Sequence, residues 1–273
     1  MQFTDRTVVL TGAAGNLGRA VASAFAEMGA NLVLLDVKRG SLQDGEKQLF
    51  IATDLLDPES VRAAVDTAVQ RFKRIDVLCN IAGAFRMGAP VHETSDKDWN
   101  FLLDVNARTV LHMARAVVPV MLKAGGGKIV NIGAYAAQKG AAQMGAYVAS
   151  KSAVIRLTET MAAELRSHNI NVNCVLPTII DTPENRAAMP DADPRRWVAP
   201  QVLHGAAERD RRDVVLAVGG IGLRGDAIRR ALAGREAPVL HSKICGALPR
   251  EHRGDATIRG KEAAHADLGP AAR

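Results

Sequence analysis

Thr11-Gly12-Ala13-Ala14-Gly15-Asn16-Leu17-Gly18 is the stretch on which the fold turns. It follows an apolar run at 6–11 (RTVVLT) and opens an amphipathic stretch at 16–29 that closes on glycine. Glycines between a buried strand and a helix let the backbone turn tightly and approach a pyrophosphate, whose charge meets the helix N-terminus. The spacing is GxxGxxG rather than GxGxxG, and such a turn can serve structure alone. Its position between strand and helix favours a dinucleotide held by Gly12, Gly15, Asn16, Leu17 and Gly18.

Outward from this turn, apolar runs and helical stretches alternate. Further strands are predicted at 31–36 (NLVLLD), 48–52, 75–80, 128–132 and 170–176. Asp57 with Pro58 opens one helix, Ser95 with Asp98 opens another that runs to about 124, and a third covers 145–168. Six strands with intervening helices give an α/β fold, a Rossmann-type doubly wound parallel sheet flanked by helices. The link between the second and third strands, 37–47, is short for a parallel crossover and contains Gly40 and Gly45, so a loop is expected there instead of a helix.

Asp36 ends the second strand, 18 residues after Gly18. A carboxylate at that point accepts hydrogen bonds from the ribose 2′- and 3′-hydroxyls and repels a 2′-phosphate, so NAD is expected over NADP. Lys38 and Arg39 follow directly and soften that preference, and starting a turn is the competing role for Asp36. The chemistry is expected in Tyr147-Val148-Ala149-Ser150-Lys151. At i and i+4 of a helix the phenol and the ammonium share a face. A nearby cation lowers a phenol pKa from about 10 toward neutrality, which makes Tyr147 a general acid/base, and Lys151 can also hold a ribose hydroxyl. YxxxK is common by chance, but here it lies between the fifth and sixth strands of a dinucleotide-binding pattern.

Together these features resemble the short-chain dehydrogenase/reductase family over residues 5 to about 200. The resemblance rests on 11–18, Asp36, Asp54-Leu55, Asn80-Ile81-Ala82-Gly83, Asn106, Tyr147 with Lys151, and 173–182. It implies an NAD(P)-dependent oxidoreductase that moves hydride between the nicotinamide and a small carbonyl or alcohol substrate. It further implies that Asp54 and Leu55 flank the adenine, that Asn80, Ala82 and Gly83 support the cofactor floor, and that Asn106 anchors a water in a proton relay. Ile179 and Ile180 would sit near the nicotinamide, with Pro177 just before them among the cofactor contacts. Residues 1–200 then form the dinucleotide-binding domain, including a substrate lid at 178–200. A homodimer or homotetramer packed through 95–124 and 145–168 is implied as well.

Two positions depart from the family. The serine usual thirteen residues before the tyrosine is Ala134 here, and the usual Pro-Gly after the sixth strand is Pro177-Thr178. Loss of such a hydroxyl donor commonly costs about 10²–10³ in rate. The dihydropteridine reductase branch looks similar in its glycine spacing, its short link after the second strand, the segment Gly133-Ala134-Tyr135-Ala136-Ala137 and the stretch 176–197. That similarity implies, as an alternative, reduction of a quinonoid pterin or another imine-type acceptor. A catalytically weak dinucleotide-binding protein is the alternative from a different class.

The composition restricts the remaining classes. No apolar run reaches the ~18 residues of a membrane span, and no membrane partner is expected. Cys79, Cys174 and Cys245 are far apart and outside any CxxC pair, so neither a disulfide scaffold nor a zinc site is expected and a cytoplasmic location fits. The net charge of +6 is interleaved with acids and lacks an aromatic platform, which argues against nucleic acid. His92, His112 and His168 show no metal-ligand spacing and are expected to be solvated or capping, while Asp181 is expected to cap a short helix at Pro183. Residues 201–273 form an atypical C-terminal segment with 11 Arg, 2 Lys and no aromatic residue. The run at 214–223 is broken by two glycines and has no clear period. The segment reads as a disordered or genuinely divergent extension, or as the product of a frame change near Val202 in GC-rich coding DNA. That reading leaves the seventh strand in doubt and the sixth as an unpaired edge.

Overall fold

The computed structural model describes residues 3–198 and 216–219. Thr7–Thr11 (β1) is buried along its whole length, as a strand covered on both faces of a parallel sheet must be. It leads through the glycine turn into α1 (Asn16–Glu27), then β2 (Asn31–Asp36) and β3 (Gln48–Ala52). After α2 (Pro58–Phe72) come β4 (Val77–Asn80), α3 (Asp96–Leu103) and α4 (Thr109–Lys123), the two helices joined by a π turn at Asp104–Arg108. β5 (Gly127–Ile132), α5 (Gly145–Leu165), β6 (Ile170–Pro177), α6 (Pro183–Ala188) and β7 (Leu216–Gly219) complete the regular elements. The strands pair in parallel in the order β3-β2-β1-β4-β5-β6-β7. The order reverses between β1 and β4, so a crevice opens at the C-terminal ends of those strands.

Alternation along the strands feeds two cores. Val8, Leu10, Leu32 and Leu34 face Val21 and Phe25 of α1, whereas Val9, Val33 and Leu35 face Val61 and Val65 of α2 and Met113 and Val117 of α4. A third cluster, with Val110, Ala134, Val154, Ile155 and Leu176, seats α5 on the sheet. Helix starts follow the expected chemistry. The Asp57 side chain accepts the Glu59 N–H with Pro58 in the first turn of α2, and Ser95 accepts the Asp98 N–H at α3.

The link at 37–47 contains no helix, as its length predicts. The single long helix predicted from Ser95 to about 124 is instead α3 and α4 on either side of the π turn. β7 is the larger difference. Leu216–Gly219 pairs with Cys174 to Pro177, so this half of β6 is not the unpaired edge that the sequence suggests. An apolar run without alternation carries no strand period, so periodicity cannot reveal it. The remainder of the segment assigned to a frame change or disorder, 201–215 and 220–273, lies outside the described residues. Among the described residues no helix is long and apolar enough to cross a membrane.

Candidate functional site

The expected site residues gather along the C-terminal edge of the sheet, on the strand ends and on the helices between them. Gly12 has φ +65°, and a Cβ there would lie 2.9 Å from the backbone of Ala82. The Thr11 hydroxyl accepts the N–H groups of Ile81 and Ala82 at 3.0 and 3.1 Å, locking the turn to the end of β4. Gly18 packs directly on the Gly12 carbonyl and Ala13, which leaves no room for a side chain. Gly15 caps α1 without a side-chain hydrogen bond, and Leu17 is half-buried behind it. Asn16 Oδ1 accepts from Arg19 at 2.6 Å.

Asp36 braces this turn, its Oδ2 accepting the Ala14 N–H at 3.0 Å. Arg39 pairs with Asp44 at 2.7 Å and lies 4.6 Å above the Phe50 ring. Asp54 Oδ1 accepts the Leu56 N–H at 2.8 Å, and the buried Leu55 offers its carbonyl to His112 Nδ1 at 2.9 Å. His112 is therefore a buried brace on α4, not the solvated or capping residue expected.

Beneath the crevice runs a buried polar chain. Asn80 Nδ2 donates to Asn131 Oδ1 at 2.8 Å, and Asn131 Nδ2 donates to Thr158 Oγ1 on α5 at 2.9 Å. Asn106 sits in the π turn and is buried. Its Oδ1 accepts the Ala84 N–H, and its Nδ2 donates to the Ala84 carbonyl and to Ser150 Oγ, all at 3.0 Å. Ser150 in turn donates to the Tyr147 carbonyl at 2.8 Å. A Cβ on Gly83 would lie 2.7 Å from Asn106 Oδ1 and 3.1 Å from Lys151 Nζ, so glycine alone lets these groups close in.

Tyr147 and Lys151 stand one turn apart on α5, and Lys151 Nζ donates to the Ile132 carbonyl at 2.8 Å. Burial pushes the phenol up to about 12. Burial also lowers the ammonium to about 8, against an opposing effect of Cys174. The expected lowering of the phenol by its neighbour is thus reversed in the free protein, because desolvation disfavours both charged forms. Ala134 is buried at the end of β5, and Phe85 stands edge-on to Tyr147 with ring centroids 4.9 Å apart.

On the far side Pro177 ends β6, Ile179 is exposed, and Ile180 bridges to Val198. Thr182, not Asp181, caps α6; its hydroxyl accepts the Asn185 N–H at 3.2 Å. Asp181 instead forms two bonds to Arg186, which holds its carboxyl below the usual range. The sequence reading missed Phe85, Asn131, Thr158 and the bracing role of His112. Each acts across a long sequence separation, and only the apolar character of 84–91 hinted at Phe85.

The residues present suit a nicotinamide dinucleotide. The left-handed Gly12, the side-chain-free Gly18 and the uncapped first turn of α1 form a cradle that a Cβ would fill. A family profile described as short chain dehydrogenase matches residues 6–193. The chain is 37% identical over 183 residues to dehydrogenase/reductase SDR family member 6 of Rattus norvegicus, covering 67% of this chain and 74% of that protein. It is 36% identical over 189 residues to the D-threitol dehydrogenase of Mycolicibacterium smegmatis, covering 66% and 72%. Among solved structures, an NAD+-bound xylitol dehydrogenase superposes with a TM-score of 0.74 at 29% identity, over 81% of this chain and all of that one. The Rossmann-type sheet, the glycine cradle and these likenesses agree: the chain belongs to the short-chain dehydrogenase/reductase family and is an oxidoreductase.

Proposed function

We propose that the protein is an NAD-dependent oxidoreductase acting on a small carbonyl or alcohol, with Tyr147 as acid/base. The observation that carries this reading is the placement of Tyr147 and Lys151 one turn apart on α5, with Asn106 Oδ1 and Lys151 Nζ both closing on the side-chain-free Gly83. When bound, the dinucleotide supplies a hydride to the carbonyl carbon, or takes one from the alcohol in the reverse direction. Tyr147 gives its phenolic proton to the substrate oxygen on reduction and recovers it on oxidation. Held high by burial, the phenol carries that proton at neutral pH. Lys151 spends one N–H on the Ile132 carbonyl and keeps two for the ribose hydroxyls. Asn106 orders Ala84 and Ser150 around them.

NAD is favoured because Asp36 lies against the glycine turn while Arg39, the residue suited to a 2′-phosphate, is engaged by Asp44 and Phe50. Asp54 and Leu55 on the adenine side, Asn80, Ala82 and Gly83 on the floor, and Pro177, Ile179 and Ile180 near the nicotinamide complete the proposed contacts. The relatives' names include polyol dehydrogenases and a 3-oxoacyl reductase, so they share no single substrate class. Ala134 favours a second reading, an imine-type or quinonoid pterin acceptor that needs no hydroxyl donor. Exposed Leu111 and Leu122 on α4 support a homodimer or homotetramer, which light scattering tests.

The experiment is titration with NADH and NADPH, followed by turnover of carbonyl, alcohol and quinonoid pterin panels by the natural chain and by Tyr147→Phe. Preferential NADH binding, with turnover abolished by the substitution, supports the reading. NADH binding without turnover of any panel would leave a dinucleotide-binding protein, and no binding of either cofactor would overturn both.

A further inference from the structure

The wall beside Tyr147 is apolar, and the chemistry above leaves its side chains without a task. Phe85 meets the Tyr147 ring at 90°, yet is 54% exposed. The ring is held on both sides along the chain. Both backbone polar groups of the preceding Ala84 are bound to Asn106, and further on the Gly88 N–H donates to the Gln143 carbonyl at 2.8 Å. At Gly145, the first residue of α5, a Cβ would lie 2.9 Å from Val91 Cγ2. The segment 84–91 is thus pinned along the start of α5, and its apolar members Met87 and Val91 are also exposed. Arg86, the sole cation of this segment, is turned onto α3, 3.8 Å above the Phe101 ring and 3.1 Å from Asp98.

We propose that Phe85 is a specificity-determining residue, and that the substrate is a conjugated ketone or imine carrying an apolar ring that lies against Phe85, rather than a polyol or sugar. This rests on the reading of Tyr147 as acid/base. A preordered aromatic ring gains by covering its open face with another apolar surface. Hydroxyls of a polyol set against Phe85, Met87 and Val91 lose water and find no partner on those side chains. A hydride delivered to the far carbon of the conjugated system leaves an enolate or aza-enolate whose charge is spread over several atoms before Tyr147 protonates it, so the reaction depends less on a donor at the acceptor atom. Ala134 supplies none.

The test measures NADH affinity by fluorescence for the natural chain, Phe85→Leu, Phe85→Ser and Tyr147→Phe. Benzylideneacetone is then titrated into each NADH-saturated protein, and xylitol into each NAD+-saturated one, with steady-state rates for both probes. The expected result is binding and reduction of benzylideneacetone by the natural chain. Its Kd and KM should rise about tenfold or more in Phe85→Ser and less in Phe85→Leu, at unchanged NADH affinity. An unchanged KM in Phe85→Ser, xylitol used in preference to the enone, or NADH binding without enone binding would each overturn the proposal while leaving the dinucleotide site intact. Full turnover by Tyr147→Phe would instead overturn the acid/base reading, and this proposal with it.

Discussion

Asn106 holds Ala84 by both of its backbone polar groups, accepting its N–H and donating to its carbonyl at 3.0 Å each. Asn106→Ala removes the partner of those half-buried groups and one of the two bonds of the buried Ser150, which costs about 1–3 kcal/mol. It also releases Phe85 and Gly83 from their positions. A fall of about 10² in kcat/KM is expected, since displacements near 1 Å are enough for that. Asn106→Asp keeps the acceptor but loses the donor and should fall between the two. Steady-state kinetics on all three proteins check the order.

Ala134→Ser restores a hydroxyl at the end of β5. On simple, unconjugated ketones kcat should rise, by up to about 10²–10³, because the new O–H can donate to the developing oxyanion. Ala134 is 4% exposed, so an unpartnered hydroxyl would cost about 1–3 kcal/mol of stability. Paired rate and urea-unfolding measurements separate the two effects.

Tyr147 and Lys151 predict an unusual stability profile. Lys151 titrates near 8 when folded and near 10.4 when unfolded, so the unfolded chain binds more protons between these values and stability rises with pH, by about 3 kcal/mol in all. Tyr147 titrates near 12 when folded and near 10 when unfolded, so above roughly pH 10 its contribution falls. The pair therefore gives a maximum near pH 10. Lys151→Met removes the rising limb, and unfolding curves for both proteins at roughly pH 7, 8.5 and 10 test this.

Gly18→Ala sets two effects against each other. Helix propensity favours Ala by about 1 kcal/mol. The added methyl, however, would run into the Gly12 carbonyl and Ala13, and forced overpacking costs about 1–3 kcal/mol. Net destabilisation and weaker NADH binding are expected. A more stable variant with full NADH affinity would contradict the close packing of α1 on its turn.

At the opposite rim, Asp76 accepts from Arg6, Arg74 and the Thr7 N–H at 2.6–2.9 Å. Burial pushes its carboxyl up, but the Arg74, Thr7 and Arg6 hydrogen bonds outweigh this and hold it below the usual range. The resulting stability is complete above an unfolded pKa of about 3.9 and is lost as pH falls through the lower folded value. Asp76→Asn should cost about 1–2 kcal/mol at neutral pH, discounted because both arginines are half-exposed. It should also blunt the acid transition seen by circular dichroism.

What could be read from the sequence was local. The glycine turn, the caps at Asp57 and Ser95, and the Tyr147–Lys151 spacing each depend on neighbours within a few residues, and each has its expected geometry. What escaped was contact at a distance. Phe85 meets Tyr147, His112 meets Leu55, and Asn80 meets Thr158 through Asn131, pairings that topology creates and no period encodes. The phenol pKa escaped for the same reason, because the i, i+4 rule sees the cation but not the burial that surrounds both groups. β7 was obscured by its own character, an unalternating apolar run ending in glycine.

The π turn at Asp104–Arg108 makes Asn106 answerable to the number of residues before it rather than to their kind. Such a turn holds one residue more than regular α geometry requires. Deleting any single residue there would let the helix heal into an unbroken α form with α3 and α4 kept close to their present phase, because the turn already absorbs the extra residue. The bulge that carries Asn106 would be lost while α3 and α4 kept their seats. Substitutions in this turn are therefore graded in effect, but a one-codon deletion is all or nothing, and length is the heritable constraint on this part of the site.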